Sequence, residues 1–264
     1  MSETLQVAQG RVAYEVFGSG EAVVVAIPGI GDTRASYRRL APLLANAGCT
    51  VYVMDLRGHG ESDAAFDSYT SEDIGDDVVA LLDALDLRDA TLIGNSVGAA
   101  ASVHAGLHSD RVGRIVSLSG FVSDPRGFAM LKPMLSVMFV PPWGVWMWGR
   151  YRKSLYATLP SDFESHHAEV LANLREPGRL RAMRKMLCAS KAGIAARLRE
   201  LKVPALVAMG ANDPDFPDPA AEASRQAEVL GGDNRIAMID GAGHYPQIEQ
   251  PEATARAIEA FVRG

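Results

Sequence analysis

Cysteine is scarce in this chain: Cys49 and Cys188 are the two among 264 residues. They lie far apart, in apolar or helical surroundings, which excludes a disulfide framework and fits a reducing, cytoplasmic location. Long apolar runs are missing as well. No stretch approaches the ~20 residues that a membrane span needs. The opening Met1-Ser2-Glu3-Thr4-Leu5 has neither the basic start nor the apolar core of a secretory signal. Positive charge is not in excess either, with 26 Lys and Arg against 32 Asp and Glu and a formal net charge of −6. Nucleic acid and anionic membranes are therefore not expected partners. The densest basic cluster, Arg175, Arg179, Arg181, Arg184 and Lys185, is interleaved with Leu174, Leu180, Met183, Met186 and Leu187. That spacing reads as the solvated face of a helix. The six histidines show no metal-ligand pattern: His166 and His167 are adjacent, and His104 and His108 lack the glutamate of H-E-x-x-H. Neither a metal nor another cofactor is expected.

What is present is the ordinary balance of a globular protein, 48% hydrophobic and 22% charged residues. The length suits one large domain with an insertion. Leu5–Val7 and Val12–Val16 alternate around Gly10 and predict an antiparallel hairpin. Short apolar runs at Val23–Ile27, Thr50–Met54, Ala90–Ile93 and Arg114–Leu118 predict buried strands. Between them a helix is expected over Ser36–Ala47. A second, capped by Ser71, carries Ile74, Val78, Val79, Leu82 and Leu85 on one stripe. Strand and helix in alternation imply a doubly wound, mostly parallel sheet. From residue 121 to 200 that rhythm stops and helical patterns dominate. Strands resume at Pro204-Ala205-Leu206-Val207-Ala208-Met209 and Ile236-Ala237-Met238-Ile239.

Three loops after predicted strands carry chemistry. Gly94-Asn95-Ser96-Val97-Gly98 places one serine between two glycines at a strand-to-helix seam, a G-x-S-x-G elbow that projects the hydroxyl above the sheet. Gly210-Ala211-Asn212-Asp213-Pro214 and Gly241-Ala242-Gly243-His244-Tyr245-Pro246 follow the last two runs. All three lie at the carboxyl edge, where open α/β sheets hold their sites. A serine hydroxyl needs a base to take its proton during attack, and an imidazole ionises in the right range. A carboxylate then holds the imidazole tautomer. Ser96, Asp213 and His244 are thus the expected triad. Asp215, Asp218 and Asp124 compete for the acid, although Asp218-Pro219 reads better as a helix cap. The backbone N–H groups of Ile30 and Val97 are the expected oxyanion donors.

With these motifs the chain resembles the α/β-hydrolase fold family over nearly its whole length. Asp55-Leu56-Arg57-Gly58-His59-Gly60-Glu61-Ser62 is similar to the family's D-x-R-G-x-G-x-S turn. Gly243-His244-Tyr245-Pro246-Gln247-Ile248-Glu249-Gln250-Pro251 is similar to its G-H-x-P-x-x-E-x-P segment. The resemblance implies a core of residues 1–120 and 201–264, and a helical lid over 121–200. Met134–Trp148 holds all three tryptophans. Met134, Met138, Trp143 and Trp146 are the expected pocket residues. Two positions depart from the family: Pro28 and Asn95 stand where histidines are usual, which weighs against high turnover. Family members that open epoxides or remove halides use aspartate at the elbow, and here it is serine. The resemblance implies hydrolysis of a small or medium, fairly apolar ester, thioester or lactone through an acyl-enzyme. A C–C bond hydrolase or cofactor-free perhydrolase with the same triad, or a slow-turnover ligand sensor, are the other readings, since this fold hosts many functions.

Overall fold

The computed structural model describes residues 2–263; Met1 and Gly264, the outer bounds of the expected core, lie outside the described residues. Eight strands form one sheet: β1 (Glu3–Val7), β2 (Gly10–Phe17), β3 (Ala22–Ile27), β4 (Cys49–Met54), β5 (Ala90–Asn95), β6 (Val112–Leu118), β7 (Ala205–Gly210) and β8 (Asn234–Ile239). Their order is β1-β2-β4-β3-β5-β6-β7-β8. The hairpin β1–β2 is antiparallel and β2 pairs antiparallel with β4, while every later pairing is parallel.

β3 and β7 are apolar throughout because both faces of the sheet are covered, so successive side chains enter opposite cores. On β3, Val25 and Ile27 join one cluster while Val24 and Ala26 join the other. On β7, Ala205, Val207 and Met209 divide from Leu206 and Ala208 in the same way. The larger cluster packs under α2 (Ser71–Ala84), α3 (Val97–His108) and α9 (Pro219–Val229). The other lies under α1 (Leu40–Asn46) and α11 (Pro251–Arg263), which follows the short α10 (Pro246–Glu249).

Two helix starts differ from expectation. The helix expected over Ser36–Ala47 is split into a short 3-10 turn, Arg34–Tyr37, and α1. Pro42 has no N–H and fits without cost in a first turn, so the α-helix begins just before it. Thr70, not Ser71, caps α2: its hydroxyl accepts the Asp73 N–H at 3.1 Å and the Asp73 carboxylate accepts the Thr70 N–H at 2.7 Å. Ser71 is the first helical residue.

Between β6 and β7 the chain forms a helical insertion without a strand: α4 (Phe128–Met138), α5 (Gly144–Ser154), α6 (Phe163–Arg175), α7 (Arg179–Leu187) and the short α8 (Ala192–Ala195). It has its own small core of Phe139, Trp148, Val170, Leu174 and Met183. A buried ion pair ties it to the sheet, Arg152 Nη2 on α5 donating to Asp32 Oδ2 at 3.1 Å, with both side chains almost fully buried. His166 Nε2 on α6 lies 3.3 Å from Asp32 Oδ1. Burial would raise the Asp32 carboxyl, but the Arg152 charge and the His166 contact outweigh it and hold it well below the usual carboxylate range. No helix among the described residues is long and apolar enough to cross a membrane.

Candidate active site

Ser96 occupies the turn between β5 and α3 with φ 54° and ψ −116°. A positive φ on a residue with a side chain is strained and persists only where the surroundings impose it. They do so here through two close approaches. A Cβ at Gly94 would stand 2.1 Å from the Gly98 carbonyl oxygen, and one at Gly98 would stand 2.6 Å from that of Ile27. Glycine at both positions lets strand, loop and helix converge under the serine. The N-terminal end of α3, with its unpaired N–H groups and positive dipole end, is set beside the Ser96 hydroxyl.

Asp213 follows β7 and His244 follows β8, and the two side chains meet. His244 Nδ1 donates to Asp213 Oδ2 at 2.9 Å, with both residues buried. The other Asp213 oxygen accepts the Asp215 N–H at 3.0 Å. Of the competing acids, Asp215 Oδ2 lies 3.7 Å from His244 Nδ1, and its Oδ1 accepts the Tyr151 hydroxyl at 2.7 Å. Asp218 caps α9 through the Ala221 N–H, as its Asp-Pro context predicts. Asp124 turns to the insertion, where it accepts the Lys191 N–H at 2.9 Å and the Ser190 hydroxyl. Burial favours a neutral His244, but the Asp213 charge and hydrogen bond, with Asp215 and Glu249 behind them, raise it above the ordinary imidazole range.

Ser96 and His244 share the wall of one cleft of about 290 Å³, without a direct hydrogen bond between them. Such contacts are often long in free enzymes. Ile30 and Val97, the expected oxyanion donors, line the same cleft. Asp213, Asp215 and His244 bring ligand-type atoms within 4.8 Å of one another, the one such group among the described residues. His244 Nδ1 in that group is already engaged by Asp213.

The four pocket residues expected from composition are not in the cleft wall. Met134, Trp143 and Trp146 are 48%, 51% and 60% exposed, and Met138 packs against the insertion's own core. The insertion contributes Phe128, Leu131, Leu135, Trp148, Tyr151, Leu155, Leu187 and Lys191 instead. Composition located the apolar segment, whereas the inward faces of α4 and α5 depend on how the insertion docks.

Two supporting residues carry more than the sequence motifs revealed. His59, inside the Asp55–Ser62 turn, is buried and accepts the Gly31 N–H on Nε2 at 3.0 Å, while its Nδ1 lies 3.1 Å from the Arg57 carbonyl. Burial lowers it to about 4, so it stays neutral with one tautomer. It braces the loop that carries Ile30, one residue from Gly31. Asn95 donates to the carbonyls of Leu118 at 3.0 Å and His244 at 3.1 Å, tying the elbow to the histidine loop. The alternation of strands could show neither bond.

Residues 24–257 match the family model described as the alpha/beta hydrolase family. The chain belongs to that family. Relatives include the dihydrolipoyllysine-residue acetyltransferase component of an acetoin cleaving system from Pseudomonas putida, 31% identical over 95% of this chain. The chain spans 66% of that protein. A 2-hydroxy-6-oxononadienedioate/2-hydroxy-6-oxononatrienedioate hydrolase from Burkholderia vietnamiensis is 26% identical, over 96% of this chain and 91% of its own length. Among solved structures, the enol-lactonase from Burkholderia xenovorans aligns with a TM-score of 0.82 at 21% identity, over 99% of this chain and 100% of its own. That likeness shows the fold.

Proposed function

We propose that the protein is a Ser-His-Asp hydrolase that cleaves a small or medium, fairly apolar carboxylic ester, thioester or lactone through an acyl-enzyme. The observation that carries this reading is the strained Ser96 sharing one cleft with a His244 whose Nδ1 is held by Asp213. In the proposed mechanism Ser96 Oγ attacks the substrate carbonyl while His244 Nε2 takes its proton. The developing oxyanion is received by the N–H groups of Ile30 and Val97, each worth about 3 kcal/mol in the transition state. His244 then returns the proton to the leaving alkoxide or thiolate. Water, deprotonated by the same imidazole, attacks the acyl-enzyme, and His244 passes that proton to Ser96 Oγ as the acyl–oxygen bond breaks and the acid leaves. Asp213 holds the tautomer and stabilises the imidazolium. The serine at position 96 offers no carboxylate for opening an epoxide.

The insertion serves in this reading as a lid over residues 121–200, closing on the core of residues 1–120 and 201–264. A cleft of about 290 Å³ stands at the lower end of small-molecule sites, which favours short acyl groups. Its partner is a small molecule, and Cys49 and Cys188, both unpaired, suit a reducing cytoplasm. A second reading, C–C bond hydrolysis with the same three residues, is favoured by the extended similarity to a hydrolase named for 2-hydroxy-6-oxononadienedioate. A panel of p-nitrophenyl esters of graded acyl length, run beside a ring-cleavage product, separates the two. Ester turnover that favours short acyl chains and vanishes in Ser96→Ala is expected. Turnover of the ring-cleavage product alone would move the assignment to C–C bonds.

A further inference from the structure

Nearly all of the cleft wall supplied by the insertion is apolar. Lys191 is the one lysine or arginine that lines the cleft among the described residues, and the Tyr151 hydroxyl in the same wall is already given to Asp215. Lys191 sits between α7 and α8 and is 7% exposed. Its main chain is pinned, because its N–H donates to Asp124 at 2.9 Å and the neighbouring Ser190 hydroxyl donates to the same carboxylate. Its ammonium makes no ion pair or hydrogen bond with a described residue. Asp124 and Glu72 act on it through space, and burial outweighs their attraction, so that its pKa is lowered. A buried ammonium short of partners is costly in a poorly solvated wall. An arriving carboxylate would satisfy it.

We propose that Lys191 is the recognition point for an acidic group of the substrate, and that the cleft takes esters or lactones bearing a carboxylate remote from the scissile carbonyl. This rests on the hydrolase reading above and names its substrate class. Leu131, Leu135 and Leu187 line the same cleft and would cover the methylene or vinyl carbons between the two ends. Lysine suits the task because its ammonium is a point charge on a flexible stem, which accepts a carboxylate from several directions.

Two matched pairs of substrates test this. Hydrogen p-nitrophenyl adipate is compared with p-nitrophenyl hexanoate, placing the carboxylate on the acyl side, and p-carboxyphenyl hexanoate with phenyl hexanoate, placing it on the leaving group. Wild type is expected to favour the anionic member of one pair. Lys191→Met should reduce that kcat/KM ratio by about tenfold, chiefly through KM, and Lys191→Arg should keep part of it. Wild type with no preference for either anionic ester overturns the proposal, whether or not the variant folds. So does a preference that survives Lys191→Met, which would leave Lys191 as a counter-ion to Asp124 and Glu72. Failure of the hydrolase reading is distinct: hydrolysis of both members would persist in Ser96→Ala.

Discussion

At the scale of single residues, the proposed triad is a set of unequal commitments. Ser96 holds a backbone conformation that costs on the order of 1–3 kcal/mol, imposed by glycines on either side. His244 faces two carboxylates: its Nδ1 bonds Asp213 at 2.9 Å, and Asp215 lies 3.7 Å away. Asp213→Asn should leave the fold intact and lower kcat on the order of 10³–10⁴-fold, because the amide favours the wrong tautomer. Asp124→Asn and Asp218→Asn should cost far less, since those carboxylates serve Lys191 and α9. A collapse in Asp124→Asn with near-normal turnover in Asp213→Asn would move the acid to the other loop. The pH profile carries a second expectation. His244 acts as a base only when neutral, and its ionisation is raised above the ordinary 6.5. The acid limb of kcat/KM should therefore have its midpoint above 6.5. Asp215→Asn removes one of the raising charges, so the limb should move to lower pH; an upward shift would contradict this electrostatic account. That the loops of Ser96, Asp213 and His244 gather at one edge of the sheet was legible because each follows a short apolar strand. The parts played by His59 and Asn95 were not, because both bond to main-chain groups brought close only by the folded sheet.

At the scale of elements, the helical insertion is held by charge as well as by apolar contact. Arg152 on α5 is fully buried against Asp32, in the loop after β3, and lies 5.5 Å from the ring centres of Tyr156 and Tyr245. Removing one partner of such a pair leaves the other charge uncompensated. Arg152→Met should thus lower the free energy of unfolding by about 3–5 kcal/mol, read from the denaturant midpoint. Adding Asp32→Asn should restore part of that loss, and no recovery in the double variant would show that the pair is not what docks the insertion. The cleft residues give a separate expectation. Leu135→Ala should alter the preference among acyl lengths, whereas Trp143→Ala and Trp146→Ala should not, since both tryptophans are more than half exposed. Equal effects at all three would return the tryptophans to the pocket. Sequence showed that 121–200 is helical and apolar, through the loss of strand rhythm. Which face of α4 turns to the cleft was not readable, because Met130, Met134 and Val137 are as apolar as Leu131 and Leu135 yet do not line it.

At the scale of the whole molecule, the sheet order and the site follow from one pattern. Strands buried on both faces feed alternate side chains to two cores, and their carboxyl ends gather loops that are distant in sequence. Asn95 reaches across 149 positions to the His244 carbonyl in that way. The doubly wound sheet was legible because β3, β5 and β7 are short, nearly unbroken apolar runs. The helix starts were less so: the position of α1 depends on Pro42, and the cap of α2 on reciprocal bonds between Thr70 and Asp73. The family hosts several chemistries, and the proposed acyl-enzyme depends first on the serine at the elbow. Intact-mass analysis after treatment with a fluorophosphonate should reveal a single adduct, located at Ser96. The adduct should be absent in Ser96→Ala and formed far more slowly in His244→Ala. Labelling that persists in both variants would contradict the triad and the acyl-enzyme with it.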